Sequence, residues 1–232
     1  MSIDFEPIWY ATDLGDYRPS GHTYLGYPYA SLPPLDGSRF SGAFDWLGDR
    51  RPGPDLSEDA VRIAELGKQL AAEGIELPAD FITFHQAAAC AGVLDEVSVT
   101  ACWSSLSDPL PSPVEPGAFL VRFYRDQQDC LLWYLYLRPS GESFVVCSYL
   151  DYEYEYQARD SADPDEEPES DLDDADAQRA AIVWCAPTFE QFAYRCWLEN
   201  RIWHQLHSSG GEAADRLDAE MLGYLAHYRK AR

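Results

Sequence analysis

The sequence predicts an α+β fold, and three observations carry that prediction. Two stretches before residue 93 place apolar residues at helical spacing. From about 97 to 149 the pattern changes to short apolar or alternating runs, and two of the connections between them are so short that the strands they join must be antiparallel neighbours. After a last apolar run comes a capped amphipathic helix. With 232 residues, 46% of them hydrophobic and 14% aromatic, the chain can bury a core as one elaborated domain or as two small ones.

Residues 1–54 carry Trp9, Tyr10, Tyr17, Tyr24, Tyr27, Tyr29, Phe40, Phe44 and Trp46 without a sustained period. They read as an irregular aromatic arm laid over the body, with a short helix near Phe44–Leu47, and they could cover the outer side of the late helix. The rest of the domain runs over 55–232. Asp55-Leu-Ser-Glu58 starts a helix to Gly74, with the stripe Ala60, Ile63, Ala64, Gly67, Leu70 and Ala71. Pro78 opens a second helix at its first turn, with Phe81, Phe84 and Ala88 inward and Gly92 closing it. His85, on the flank of that stripe, reads as a hydrogen-bonded histidine at the edge of the core.

Val97–Trp103 alternates as a strand, and 108–117, with prolines at 109, 111, 113 and 116, is a stiff loop. Ala118–Tyr124, Cys130–Leu137 and Ser143–Tyr149 are strands. Leu131–Leu137 is apolar at every position, which predicts a central strand covered on both faces. Asp151-Tyr-Glu-Tyr-Glu-Tyr156 alternates acid and tyrosine. As a strand it would put Tyr152, Tyr154 and Tyr156 on one face and Asp151, Glu153 and Glu155 on the other. An acidic loop spans about 151–177, mobile from 160 onward, and Ala180–Cys185 is the last strand.

Pro187–His207 is the late helix around which the chain is organised. Thr188 and Gln191 form a capping box, and Ser208-Ser-Gly-Gly211 stops the helix. Phe189, Phe192, Ala193, Cys196 and Trp203 share the core face. Glu199 and Asn200 interrupt it, so their side chains should bond partners inside the domain, and Trp197 and Trp203 are assigned structural roles with them. Tyr194 and Leu198 lie opposite, which predicts cover from both sides. A final amphipathic helix spans about 215–229, with Leu217, Met221, Tyr224, Leu225 and Tyr228.

The formal net charge is −23, which argues against direct nucleic-acid binding and favours a basic partner, or serves solubility alone. Between Asp151 and Ala177, 13 acids stand against one arginine, a net of −12 and about half of the total. The longest apolar run, Cys130–Leu137, is far short of a membrane span, and the first six residues lack a signal pattern, so the expected location is the cytoplasm. The six cysteines form no CxxC and read as reduced thiols.

No catalytic motif, phosphate loop or dinucleotide fingerprint is present, and no cofactor is implied. His204 and His207 lack further ligands. Asp171–Asp176 lacks the glycine of a calcium loop and has Ile182 where the bidentate glutamate belongs, so no metal is assigned. Tyrosines give contact area and carboxylates give steering. Asp151, Tyr152, Glu153, Tyr154, Glu155, Tyr156, Glu166, Glu167, Asp171, Asp173 and Asp174 are therefore the candidate partner-binding residues. The other reading of 151–156 is an edge strand guarded from aggregation by its charges.

Leu77-Pro-Ala-Asp-Phe81, the sheet segment Cys130–Leu137 and the pattern F-x-x-F-x-Y-R-x-W-x-E-N-x-I-W within Pro187–Trp203 resemble the SUKH superfamily, and its bacterial Smi/Knr-type members in particular. The resemblance covers about 57–207, and the last motif is the most specific. It implies a mostly antiparallel, curved sheet flanked by helices and no catalytic residues. It also implies protein binding, in many bacterial members as immunity proteins that neutralise a cognate toxin, often a nuclease. The aromatic arm and the acidic insertion depart from the minimal pattern. The expected function is thus a non-enzymatic immunity protein with a basic toxin partner. An intracellular regulatory scaffold without a toxin is the alternative, and a hydrolase would need His85 paired with an acid or a cleft of buried carboxylates.

Overall fold

A computed structural model of the chain describes residues 4–48, 57–161, 175–208 and 216–230. In chain order these contain β1 (Glu6–Ala11), β2 (Leu25–Pro28), α1 (Ser57–Ala72), α2 (Ala79–Gln86), α3 (Val93–Val97), β3 (Trp103–Ser104), β4 (Leu110–Pro111), β5 (Phe119–Arg125), β6 (Leu132–Leu137), β7 (Ser143–Ser148), α4 (Tyr152–Ser161), α5 (Ala175–Ala181), β8 (Ile182–Ala186), α6 (Phe189–His207) and α7 (Ala219–Lys230). The eight strands form one sheet in the order β2-β1-β8-β7-β6-β5-β3, with β4 also on β5. Every pairing is antiparallel except β1 with β8. The fold is therefore α+β with a mostly antiparallel sheet.

Strand β6 is buried at all six positions because both of its faces are covered. Trp133, Leu135 and Leu137 enter the main core with Phe189, Phe192 and Ala193 of α6. Leu132, Tyr134 and Tyr136 enter a second core, which Phe5 and Tyr152 close from the other side. A third cluster lies beyond α6, where Tyr194, Leu198 and Ile202 meet Leu14 and the α7 residues Met221, Tyr224 and Leu225. Helix α6 is thus covered from both directions, which is why apolar residues occupy two of its faces.

Several sequence expectations change. The first 54 residues are not wholly irregular. β1 and β2 extend the sheet, and Trp9 and Ala11 enter the main core. β1 pairs with β2 on one side and, with Glu6 opposite Val183, with the distant β8 on the other, and it is the second pairing that joins it to the sheet. The later part of the segment does lie over α6: the Phe40 ring is 5.2 Å from Tyr194, and Trp46 is 5.0 Å from Trp197. Asp55, at the expected start of the first helix, lies outside the described residues. Pro78 is the cap before α2 and not its first residue. Gly92, at φ +65°, caps the start of α3 rather than closing α2.

Val97–Trp103 is mostly a loop, because side chains take its backbone donors: Asn200 accepts from Val99 N–H at 2.9 Å and Ser98 Oγ from Cys102 N–H at 2.7 Å. Trp203 is half-buried and stacks on His207 at 4.4 Å instead of entering the core. At that end the α6 face meets the Val97–Val99 loop, with His204 Nε2 at 3.1 Å from Val97 O. The final helix begins at Ala219, with Leu217 just before it.

Candidate protein-recognition surface

The acid–tyrosine stretch is a helix, not a strand. Asp151 caps it: its Oδ1 accepts from Glu153 N–H at 3.2 Å, and its carbonyl accepts from Glu155 N–H at 3.0 Å. Glu153 and Glu155 sit in the first turn, where the helix dipole favours negative charge. The same letters that alternate as a strand are therefore also a helix start.

The helical turn scatters the three tyrosines. Tyr152 is fully buried, its ring 5.5 Å from that of Tyr134, whose hydroxyl donates to Leu150 O and accepts from Tyr152 N–H. Tyr156, one turn on, is half-buried, and its hydroxyl donates to Pro111 O at 2.8 Å. Only Tyr154, on the opposite side, is presented to solvent, at 67% exposure. The expected tyrosine row does not form.

The acids divide as well. Asp151 and Glu153 pair with Arg122 at 2.9 and 2.6 Å, and this guanidinium is only 4% exposed. Arg125 joins Asp151 at 3.5 Å and also pairs with Asp129. Much of the charge at 151 and 153 is spent on holding α4 to β5. Glu155 is half-buried. Glu166, Glu167, Asp171, Asp173 and Asp174 lie outside the described residues. The acidic loop itself is narrower than 151–177, since α4 and α5 occupy its two ends.

Sheet register brings other aromatics to the same place. Trp103 pairs with Arg125, Arg125 with Leu132 and Leu132 with Ser148, so Trp103 and Tyr149 lie at the sheet end from which α4 departs. Trp103 is 52% and Tyr149 59% exposed, and the Arg125 guanidinium lies 5.8 Å from the Trp103 ring. This end of the sheet thus presents Trp103, Tyr149 and Tyr154 beside Asp129, Asp151 and Glu153. In the sequence both Trp103 and Tyr149 are only the last residues of expected strands, Val97–Trp103 and Ser143–Tyr149. The visible signal was Arg122 and Arg125 in an otherwise apolar strand, which require facing carboxylates.

The structural residues of α6 make a separate centre. Glu199 is buried and accepts four hydrogen bonds: from Arg18 at 2.7 and 2.8 Å, from Trp9 Nε1 at 2.9 Å and from the Tyr224 hydroxyl. Burial alone would raise its pKa, but Arg18 first and then Arg195 and Tyr224 hold it below the ordinary value. Asn200 donates to Cys196 O, and Trp197 lies beneath the Arg201 guanidinium at 4.3 Å. All four lone-pair positions of Glu199 are filled, so this carboxylate ties Trp9, Arg18 and α7 to α6 and has none left for a substrate.

His85 departs from its expected role. It is buried against Phe81 and Phe84, its Nε2 has no hydrogen-bond partner among the described residues, and burial pushes its pKa down to about 4. Among the described residues there is no group of three or more side chains suited to a metal ion, and no helix long and apolar enough to cross a membrane. No family model matches the chain, and neither a curated protein nor a solved structure matches it.

Proposed function

We propose that this chain is a cytoplasmic, non-catalytic protein-binding domain of the SUKH type. In this reading it captures a basic protein through the sheet end at Trp103, Tyr149 and Tyr154, as an immunity protein captures its toxin. The observation that carries the reading is the grouping of three exposed aromatic side chains beside carboxylates, in a chain of net charge −23. Aromatics supply desolvated contact area at a low entropic cost, and the surrounding negative field speeds encounter with a basic surface. A hydrolytic role would need a base. His85 is a poor one, because burial lowers its pKa to about 4 and so weakens it as a base, and no hydrogen bond joins it to a carboxylate among the described residues.

Affinity capture from the native host tests the proposal, with the wild-type chain and a Trp103→Ala, Tyr149→Ala, Tyr154→Ala variant as baits. A basic protein retained by the first and lost by the second is expected. Growth arrest when that protein is expressed alone would mark it as a toxin, whereas a harmless partner would favour the regulatory scaffold. An acidic partner, or one retained equally by both baits, would overturn the reading.

A further inference from the structure

The sheet face that holds Tyr134 and Tyr136 is covered unevenly. Tyr152 of α4 closes it at one end, and the Phe5 ring lies 5.1 Å from Tyr136 and 6.1 Å from Phe144. Beyond Phe5 the floor continues to Trp184 of β8, where an open cavity of about 500 Å³ remains. Phe144, Trp184 and Tyr29 line it together with Pro7 and Ala30, and the last two are exposed. The Trp184 and Tyr29 rings are half-buried, 4.6 Å apart and at 79° to each other. A concave site of this size, mostly apolar with a few charged groups at its edge, is of the kind that receives a ligand group.

The charge around the cavity, independent of its rings, says what covers them. Asp4 and Glu142 stand exposed in the lining, and Glu6, between the lining residues Phe5 and Pro7, is exposed as well. Arg138, also in the lining, is buried and neutralised by Glu115 at 3.0 Å and Glu142 at 2.6 Å. Four carboxylates against this one guanidinium leave these groups at a net of −3. An apolar floor inside an acidic rim fits an apolar side chain with basic neighbours. It disfavours an acidic segment, and equally a second copy of this chain, whose net charge is −23.

We propose that this cavity receives an aromatic side chain of the basic protein partner, flanked in that partner by lysine or arginine. Phe5 shows the seating, since its ring stands at 65° against Tyr136 on the same floor. The incoming ring takes the adjoining place over Trp184, in the offset or edge-to-face arrangement that aromatic pairs prefer. The basic flanks then meet the carboxylates of the rim. The inference rests on the binding role argued above and adds a second contact to that interface. β7 runs from Ser143, next to Phe144, to Ser148, next to Tyr149, six residues or about 20 Å. One partner can therefore reach both places.

The test is a titration of the isotope-labelled full chain, followed by amide and indole NMR shifts. The probe is the capped peptide acetyl-Lys-Trp-Lys-amide, with acetyl-Lys-Ala-Lys-amide and acetyl-Glu-Trp-Glu-amide as controls. Saturable shifts are expected at Phe5, Ala30, Glu142, Phe144 and the Trp184 indole. Binding should be about tenfold weaker when the peptide's tryptophan becomes alanine, and again when its lysines become glutamates. Ala30→Arg, at an exposed position of the rim, should lose a similar factor while the remaining spectrum is unchanged. Equal binding of either control, shifts that do not saturate or that avoid the cavity, or indifference to Ala30→Arg would overturn the proposal. The titration needs no captured protein, so its failure is separate from a failure to find one. A captured basic partner that binds the Ala30→Arg chain as tightly as the wild type would overturn the second contact and leave the binding role standing.

Discussion

At the scale of single residues, two buried titratable groups make opposite predictions. Glu199 is charged and fully bonded. Replacing it with alanine strands the Arg18 guanidinium, the Trp9 N–H and the Tyr224 hydroxyl in the interior. Breaking one side of a buried pair costs about 3–5 kcal/mol. Glu199→Ala should therefore lower the melting temperature by roughly 6–20 °C in a chain of this size, and an unchanged melting curve would refute the network. His85 is buried, its Nε2 is without a hydrogen-bond partner among the described residues, and its pKa is pushed down from 6.5 to about 4. The unfolded chain takes up this proton first. Stability from His85 is thus complete above about pH 6.5 and is lost as pH falls toward about 4, with about 3 kcal/mol at stake. His85→Leu should flatten the urea-unfolding free energy across that window, and a variant with the wild-type slope would show that the histidine does not govern it.

At the scale of elements, α4 tests whether Asp151 acts as a cap or only as a charge. Asparagine caps a helix about as well as aspartate, whereas alanine does not. Asp151→Asn should lose only part of the Arg122 pairing, because Glu153 still holds that guanidinium at 2.6 Å. Asp151→Ala should cost about 1 kcal/mol more than the asparagine variant, measured by urea unfolding. Equal losses would mean that charge alone matters there. Thr188→Ala, which removes the oxygen that accepts Gln191 N–H at 3.2 Å, should cost a similar amount through α6.

At the scale of the whole molecule, a net charge of −23 repels itself. Raising ionic strength from about 0.01 to 0.15 M shortens the screening length from roughly 30 to 8 Å. The melting temperature should rise over that range, because long-range repulsion is screened while the buried Arg18–Glu199 pair is little affected. A fall would mean that exposed ion pairs such as Arg62–Asp108 outweigh the repulsion. The same screening should slow association with a basic partner, so stability and capture rate should respond to salt in opposite directions.

What the sequence determined by itself was whatever depends on neighbours a few residues apart. The helical period and cap of α6 were legible, as were the antiparallel succession β5–β6–β7 and the burial of β6 on both faces. The polar gap at Glu199 and Asn200 was also legible, because a polar residue inside an apolar stripe needs an internal partner wherever the chain goes. The tertiary structure alone decided which partners those were. Trp9 and Arg18 reach Glu199 from more than 180 residues away, and β1 finds β8 across nearly the whole chain. It also decided the conformation of 151–156, where one string satisfies both the two-residue period of a strand and the acidic first turn of a helix. Arg122, buried on β5, resolves that ambiguity by drawing Asp151 and Glu153 to itself. The candidate surface was hidden for the same reason: strand register brings Trp103 and Tyr149 to one end of the sheet, and the ion pairs of Arg122 bring α4 with Tyr154 to that end, which no local period encodes.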